Sequence, residues 1–282
     1  MFSEKQNTIA NEISFNGIGL HSAKEVNVNL FPAPDDYGII FKRSDITDKN
    51  NIIPANYKNV TRAQLGTTLS NQDNVSVSTI EHFMAAIWGL RIDNLIIEMD
   101  GEEMPIVYGS SEPFVFLLES AGVKSQNSPS KILKITKDIL FQEDGKKIKV
   151  SPSDKFSFDL EIDFGHKIIG KENISFDPKF HSFRSDLCRA RTFAFEKDIE
   201  QIKKLGLGKG GSLDNAIIIG EDGILNEDGL RYKNELARHK ALDFIGDIHL
   251  FGSYILGHFE VKKPGHYINN KFLHYLADQI SS

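Results

Sequence analysis

The chain has 282 residues, which exceeds one minimal core and suits two domains of ordinary size or one large domain. Its 40% apolar and 26% charged residues are typical of a globular protein and exclude a disordered or fibrous chain. The net charge of −6 argues against non-specific nucleic-acid binding, which needs a dense cationic surface, so we expect no nucleic-acid partner.

Cysteine content and hydropathy indicate the compartment. Cys188 is the single cysteine, so no internal disulfide framework can form. The first residues lack the apolar stretch of a secretory signal, and no run approaches the roughly 18 to 20 apolar residues that span a bilayer. We therefore expect a cytoplasmic protein without a transmembrane segment, and we expect any contact with a membrane to be peripheral.

In the first half of the chain, two predicted strands bracket a predicted helix. The segments VNVNLF (26–31) and NLIIEM (94–99) are typical of strands, whereas TIEHFMAAIWGL (79–90) carries apolar residues at helical spacing. A polar segment with Pro and Ser, 123–131, ends this pattern. We therefore predict three parts: an N-terminal domain over 1–124, a linker over 125–130 and a C-terminal domain over 131–282.

In the second half, strands again come early and long helices late. The predicted strands cover 131–141, 147–152, 156–164 and 215–220, and the predicted helices cover 195–205 and 232–256. A doubly wound sheet would alternate strand and helix regularly, and this chain does not. The sequence therefore predicts the α+β class with two similar units, and a His in a helix of each half weakly supports an internal duplication.

The stretch RHKALDFIGD (238–247) raises the first question about function. His239, Asp243 and Asp247 recur every four residues and spread over only about 80° of a helical wheel, opposite an apolar face. Alone, this pattern predicts an amphipathic helix with its polar face in solvent, where His and Asp form a modest ion pair. Ligation of a metal ion by the same pair is the alternative.

A second stretch, SVSTIEHFMAAI (76–87), also has two interpretations. Ser78 followed by Glu81 is the signature of a capping box, in which Glu81 would only bond the start of its own helix. His82 is unusual in a first turn, because the helix dipole there disfavours the imidazolium. It favours the neutral imidazole, which is the form that binds metal.

A third histidine completes a potential site. His266 follows Pro264 and Gly265, and we expect it in a loop or at a strand end, where a lone His is usually exposed and inert. Two imidazoles and one carboxylate, with one position left open, are the ligands of a catalytic zinc site. Hydrolysis also needs a base and an acid, which Glu81 and His266 could supply.

One glycine motif does not indicate a nucleotide site. GLGKGG (206–211) matches G-x-G-x-x-G, but a dinucleotide fingerprint needs a strand before it and a helix after it. Here a predicted helix precedes the motif and a predicted strand follows it. We therefore interpret Gly206 as the end of the helix.

Six segments form a combination that is far more specific than any one of them: GIGLHSAKEV, STIEHFMAAIWGLRIDN, CRARTFAFEKDIE, GGSLDNAIII, LNEDGLRYKNELARHKALDFIGD and PGHYINNK. Together they resemble the UDP-3-O-acyl-N-acetylglucosamine deacetylases across nearly the whole chain. These enzymes are zinc amidases that remove an acetyl group in the committed step of lipid A biosynthesis in Gram-negative bacteria. The resemblance implies two α+β domains whose helices pack between two outer sheets.

The resemblance assigns metal ligands. It implies that His82, His239 and Asp243 bind Zn²⁺, and Fe²⁺ could occupy the same site in cells. It implies a UDP-sugar lipid as the substrate. Any contact with the inner membrane is expected to be peripheral, and the oligomeric state stays open, with a monomer favoured.

It also assigns catalytic residues. It implies that Glu81 takes a proton from water and that His266, oriented by Asp247, donates one to the leaving amine. It also implies that Thr192 hydrogen-bonds the oxyanion of the tetrahedral intermediate. The division of proton transfer between Glu81 and His266 stays open at this point.

The substrate contacts implied by the resemblance cover the sugar, the diphosphate and the uridine, and the residues are Lys240, Phe193, Asp198, Lys263 and Phe164. The segment 187–215 matches an insert that shapes an apolar passage for the acyl chain. Tyr108 stands where many family members have Asp, so support for a ligand histidine is in doubt. This substitution leaves a non-catalytic binding protein open as one alternative. A different metal hydrolase or an Fe(II) enzyme is the other, because two His and one carboxylate also suit iron.

Overall fold

Two sheets with the same strand order, one from each half of the chain, form the frame of the protein. A computed structural model describes residues 4–167 and 169–281. The first sheet has the order β2-β3-β9-β4-β5 and the second β12-β13-β18-β14-β15. In both, the successive pairings are antiparallel, antiparallel, parallel and antiparallel. This shared topology supports the internal duplication.

The strands of the first half are β1 (Lys5–Ile9), β2 (Ile13–Ile18), β3 (Glu25–Pro32), β4 (Ile39–Arg43), β5 (Ile52–Pro54), β6 (Val60–Arg62), β7 (Thr68–Ser70), β8 (Ser76–Ser78) and β9 (Leu95–Met99). Its helices are a 3₁₀ turn (Tyr57–Asn59), α1 (Glu81–Gly89) and α2 (Glu112–Ala121). The strands β6, β7 and β8 form a separate small sheet between β5 and α1.

The strands of the second half are β10 (Val123–Pro129), β11 (Ile132–Lys134), β12 (Ile139–Glu143), β13 (Lys146–Ser151), β14 (Phe156–Asp163), β15 (Lys171–Phe176), β16 (Phe193–Phe195), β17 (Ile217–Ile219) and β18 (Tyr254–Lys262). Its helices are α3 (Phe183–Asp186), α4 (Glu196–Lys204), α5 (Glu235–His249) and α6 (His266–Ser281). The segment from α3 to β17 lies between β15 and α5, the position that β6–β8 occupy in the first half.

The α+β class is confirmed. Helices α1 and α5, one from each half, pack against each other, while α2 contacts β2, α5 contacts β14 and β15, and α6 contacts β12 and β13. Gly246 makes the helix contact close, because a Cβ added there would lie 2.1 Å from the carbonyl oxygen of Glu81. The start of α1 is therefore fixed against the last turns of α5.

The predicted domain division at 125–130 stays a prediction. Most of that segment belongs to β10, which pairs antiparallel with β1 and so ties the junction to the first half. No helix in the described ranges combines the length and apolar character needed to cross a membrane.

Three predicted elements need correction. The predicted strand over 131–141 is two strands, because β11 ends at Lys134 and β12 begins at Ile139. The helix predicted over 232–256 is too long at both ends: α5 ends at His249, and Gly252 at φ +82 turns the chain into β18. His266 lies in no loop or strand end, since it is the first residue of α6, a helix the pattern did not indicate.

Candidate metal and catalytic site

The first turn of α1 carries Glu81 and His82, and both side chains are buried. The capping box predicted for this turn is wrong. Ser78 is the last residue of β8, and the N-cap is Ile80, which makes no side-chain capping bond. Instead, Oε2 of Glu81 accepts a hydrogen bond of 3.0 Å from the backbone N–H of Thr67. Glu81 is thus available for a role other than capping.

The polar stripe of α5 is also buried, and the prediction that it faces solvent is wrong. His239, Asp243 and Asp247 are only 1–2% exposed. Helical periodicity showed a polar face correctly but could not show that α1 and the segments before β7 and β16 cover it. Buried charged groups need partners or a metal ion, so this burial indicates a site rather than a surface.

Three side chains converge at the contact between α1 and α5. The Nε2 atoms of His82 and His239 lie 3.5 Å and 3.3 Å from Oδ1 of Asp243. One ligand atom from each residue lies within 4.8 Å of the other two. Nε2 of His239 and Oδ1 of Asp243 are buried without a hydrogen-bond partner. Because leaving buried polar atoms unpaired is costly, this donor set fits a metal ion.

Neighbouring bonds leave the correct atoms free for that ion. Nδ1 of His239 donates to the carbonyl oxygen of Ala190 at 3.1 Å, which leaves Nε2 as the lone-pair nitrogen. Nζ of Lys240 lies 2.9 Å from Oδ2 of Asp243, so Oδ1 is the oxygen without a partner. Each bond orients one ligand toward the point where the three meet.

Charge states also suit metal binding. Burial lowers the pKa of His239 to about 3, so its imidazole is neutral at physiological pH. For Asp243, burial raises the pKa, but nearby positive charge, including the Lys240 ammonium at 2.9 Å, lowers it by a larger amount, so its pKa lies well below the ordinary value. A neutral imidazole and an ionised carboxylate are the forms that bind metal ions.

His266 stands beside this group and faces two carboxylates. Its Nδ1 lies 2.9 Å from Oδ2 of Asp247, and its Nε2 lies 3.8 Å from Oε1 of Glu81. Burial lowers the pKa of His266, but the carboxylates of Asp247 and Glu81 raise it by a larger amount, so the net pKa is about 9. His266 is therefore protonated at neutral pH, with Nε2 directed toward the same space as Glu81.

A cavity of about 760 Å³ opens over these residues. Eight of the twelve residues assigned from the sequence line it: Glu81, His82, Thr192, Phe193, His239, Lys240, Asp243 and His266. The segment 193–218 adds apolar side chains to the lining: Ala194, Ile199, Ile202, Leu213, Ala216 and Ile218. The cavity thus joins a polar end, formed by Glu81, His266 and the three potential metal ligands, to an apolar wall.

Four assigned residues are not part of that lining. Asp247 lies behind His266, as its predicted orienting role requires. The ring of Phe164 contacts the ring of Phe193 at a centroid distance of 5.5 Å, and Phe193 itself lines the cavity. Asp198 lies in α4, and Nζ of Lys263 is 3.9 Å from Asp163. The functional roles assigned to all twelve residues stay predictions.

Two neighbours of the site were not found from the sequence. The hydroxyl of Thr67 donates to Oδ1 of Asp247 at 2.7 Å, and Nδ2 of Asn269 donates to Oδ2 at 2.8 Å. Thr67 is 180 residues from Asp247, and no local pattern connects them. Asn269 could have been found only if α6 had been predicted, because it lies one turn after His266.

Tyr108 does not occupy the interior of this site. Its side chain is 60% exposed, and the support of His239 comes from the backbone carbonyl of Ala190 instead. The substitution therefore leaves the donor set intact.

Comparison with known proteins agrees with this geometry. The family model described as LpxC, UDP-3-O-acyl N-acetylglycosamine deacetylase, matches residues 6–278. A UDP-3-O-acyl-N-acetylglucosamine deacetylase of Idiomarina loihiensis is 45% identical over 280 residues, which cover 99% of this chain and 91% of the relative. The chain therefore belongs to the UDP-3-O-acyl N-acetylglycosamine deacetylase family.

Proposed function

We propose that the protein hydrolyses the N-acetyl group of UDP-3-O-acyl-N-acetylglucosamine and releases acetate, in the lipid A pathway. The observation that carries this proposal is the convergence of three potential ligands, His82, His239 and Asp243, beside the side chains of Glu81 and His266. Nε2 of His239 and Oδ1 of Asp243 are buried there without a hydrogen-bond partner. Family membership supplies the substrate class. The apolar wall of the cavity suits the acyl chain of that substrate, since transfer of such a chain out of water is favourable in free energy.

We propose Zn²⁺ as the ion that these three residues hold, with Fe²⁺ as the alternative in cells. Two imidazoles and one carboxylate form the ligand set of an open catalytic zinc site, and they also suit ferrous iron. When bound, the ion supplies Lewis acidity, which polarises a carbonyl and lowers the pKa of water to about 7.

Glu81 is proposed as the general base. Its Oε2 is held by the Thr67 amide, and its Oε1 faces the cavity side on which His266 lies. A carboxylate fixed in this way can take a proton from the attacking water without first reorganising.

His266 is proposed as the general acid. Its pKa of about 9 keeps a proton on the ring at neutral pH, and Asp247 holds Nδ1 so that Nε2 carries the transferable proton. An amine is a poor leaving group unless it is protonated, so a donor distinct from the base is required. This assignment gives Glu81 the first proton transfer and His266 the second.

Thr192 is proposed to stabilise the oxyanion. Its backbone is fixed on both sides, because its N–H donates to Gly109 at 2.7 Å and its carbonyl accepts from Ile217 at 2.8 Å. The side chain lines the cavity on a rigid segment, as a preorganised oxyanion donor requires.

Lys240 and Phe193 are proposed to contact the sugar nucleotide. Nζ of Lys240 lies 5.3 Å from the centre of the Phe193 ring, so a cation and an aromatic face stand together beside the ligands. We propose Phe164, Asp198 and Lys263 as outer contacts of the substrate.

Acetate release from the UDP-sugar substrate tests this function directly. Glu81→Gln should lower kcat by about 10²- to 10⁴-fold while the metal content stays near one ion per chain, because the change removes the base and not a ligand. Glu12→Gln, an exposed change of the same chemistry, is the matched control. A wild-type protein that holds metal and releases no acetate would instead be a binding protein.

We also propose that the protein is a cytoplasmic monomer that touches the inner membrane peripherally. Residues 201–213 include no acidic side chain and carry three lysines, Lys203, Lys204 and Lys209, for which no side-chain ion pair or hydrogen bond is found in the described part of the chain. Leu205 beside them is 61% exposed. Basic and apolar groups together suit an anionic lipid surface. Sedimentation with vesicles with and without anionic lipid tests the contact, and light scattering tests the monomer.

A further inference from the structure

We propose that Thr67 is a positioning residue that holds Glu81 directly and His266 through Asp247. The residue immediately precedes β7, in the small sheet inserted before α1, and is only 2% exposed. It makes two hydrogen bonds into the site: its backbone N–H to Oε2 of Glu81 at 3.0 Å, and its hydroxyl to Oδ1 of Asp247 at 2.7 Å. The role deepens the proposed deacetylase function and rests on it.

The backbone bond defines which oxygen of Glu81 is free. Because the Thr67 N–H occupies Oε2, the other oxygen, Oε1, is the one that lies 3.8 Å from Nε2 of His266. The base therefore presents a single oxygen to the cavity. A substitution of the Thr67 side chain leaves this bond in place, since it comes from the main chain.

The hydroxyl bond defines the orientation of Asp247. Thr67 occupies Oδ1, while Nδ1 of His266 at 2.9 Å and Nδ2 of Asn269 at 2.8 Å share Oδ2. Asp247 is only 2% exposed, so water cannot readily replace a lost donor. Without the hydroxyl, Oδ1 of Asp247 is left buried and unpaired. The carboxylate is then no longer fixed and can rotate away from His266.

Two substitutions separate the hydroxyl from the shape of the side chain. Thr67→Val keeps the backbone N–H and the branched shape but removes the donor, whereas Thr67→Ser keeps the donor and loses a methyl group. If Thr67 only fills space, Val is the milder change. If it positions Asp247, Ser is the milder change.

The kinetic test compares both variants with the wild-type protein in the metal-loaded form. We expect Thr67→Val to lower kcat by about 10- to 100-fold, with KM and metal content within about threefold of wild type. Thr67→Ser should retain most of the wild-type kcat. In an Asp247→Asn background, Thr67→Val should cost less than about threefold, because the two residues act as one unit. Equal losses for Val and Ser, no loss for Val, or the same loss in both backgrounds would overturn the proposal.

A spectroscopic test does not require activity. The Nδ1 proton of His266 is hydrogen-bonded to Asp247, so its NMR signal, assigned by its loss in His266→Gln, reports that bond. The signal should shift or disappear in Thr67→Val and persist in Thr67→Ser. If the wild type releases no acetate but the signal behaves in this way, the proposed function fails and the positioning role stands. A signal unchanged in Thr67→Val refutes the role whatever the activity.

Discussion

Substitution of one glycine tests whether the contact between α1 and α5 sets the geometry of the metal ligands. Gly246 lies in α5 between Asp243 and the end of the helix. A Cβ at this position would stand 2.1 Å from the carbonyl oxygen of Glu81 and 3.2 Å from the backbone N of Ala85. Both neighbours are backbone atoms of α1, so no side chain can swing aside in Gly246→Ala.

Two opposing effects decide the sign of that change. Alanine is the better helix former by about 1 kcal/mol, which alone would stabilise α5. Against this, the helices must separate by roughly 1 Å to reach an ordinary contact distance, and overpacking of this kind costs about 1 to 3 kcal/mol. The clash wins, and we expect net destabilisation by about 1 kcal/mol, or a Tm lower by about 2 to 4 °C.

The decrease in catalytic activity should be larger than the decrease in unfolding free energy would suggest. His82 moves with α1, whereas His239 and Asp243 move with α5. A helix separation of about 1 Å therefore moves His82 away from the other two side chains by a similar distance. A displacement of that size lowers catalysis by about 100-fold. Metal affinity by titration against a chelator should fall together with activity, because both depend on the same distance.

Gly223→Ala is the matched control, because a Cβ there meets nothing within 4 Å and its φ is not in the left-handed region. It should leave Tm, metal affinity and acetate release unchanged. If Gly246→Ala behaves like this control, the helix contact does not set the positions of the proposed ligands. Loss of Tm with wild-type metal affinity would give the same conclusion, since the ligands would then not depend on the helix contact.

Two further predictions concern stability. Burial lowers the folded pKa of His249 to about 3, below the unfolded value of about 6.5, so its contribution to stability is present above about pH 6.5 and is lost as the pH falls toward 3. His249→Gln should therefore reduce the loss of unfolding free energy between about pH 7 and pH 5 by about 2 kcal/mol in urea titrations; an unchanged pH dependence would contradict this. Removal of metal by a chelator should lower Tm, because a ligand at 100 times its Kd adds about 2.7 kcal/mol, and Asp243→Asn should show no such decrease.

The fold class followed from patterns that act locally. Alternating residues in 26–31 and the helical spacing of 79–90 correctly indicated β3 and α1, because one face of each element is buried against a core. The end of α5 was missed because the apolar spacing continues into β18, and only the turn at Gly252 separates the two. An apolar run shared by a helix and a buried strand carries no boundary that periodicity can detect.

Residue chemistry alone offered a metal site only as one of two interpretations, and the resemblance to a family was needed to choose between them. Periodicity correctly placed His239 and Asp243 on one face, yet it interpreted that face as solvated, because it carries no information about what packs on a polar stripe. The position of Thr67 was beyond reach for the same reason. Its partner Asp247 is far away in sequence, and a threonine before a short strand has no distinguishing signal.

The duplicated topology explains why the site lies where it does. In each half, an insert follows β5 or β15, the fourth strand of its sheet in chain order, and precedes the central helix. The insert is β6–β8 before α1 and the segment from α3 to β17 before α5. Because α1 and α5 pack against each other, both inserts reach the same cavity, which Leu65 of the first insert and Thr192 of the second line. Thr67 of the first insert lies behind that lining, bonded to Glu81 and Asp247. The equivalent scaffolds carry different side chains, since α1 brings the proposed base Glu81 and one proposed ligand, whereas α5 brings two proposed ligands. Neither half contains all three potential ligands, so the candidate metal site can form only where the two halves meet.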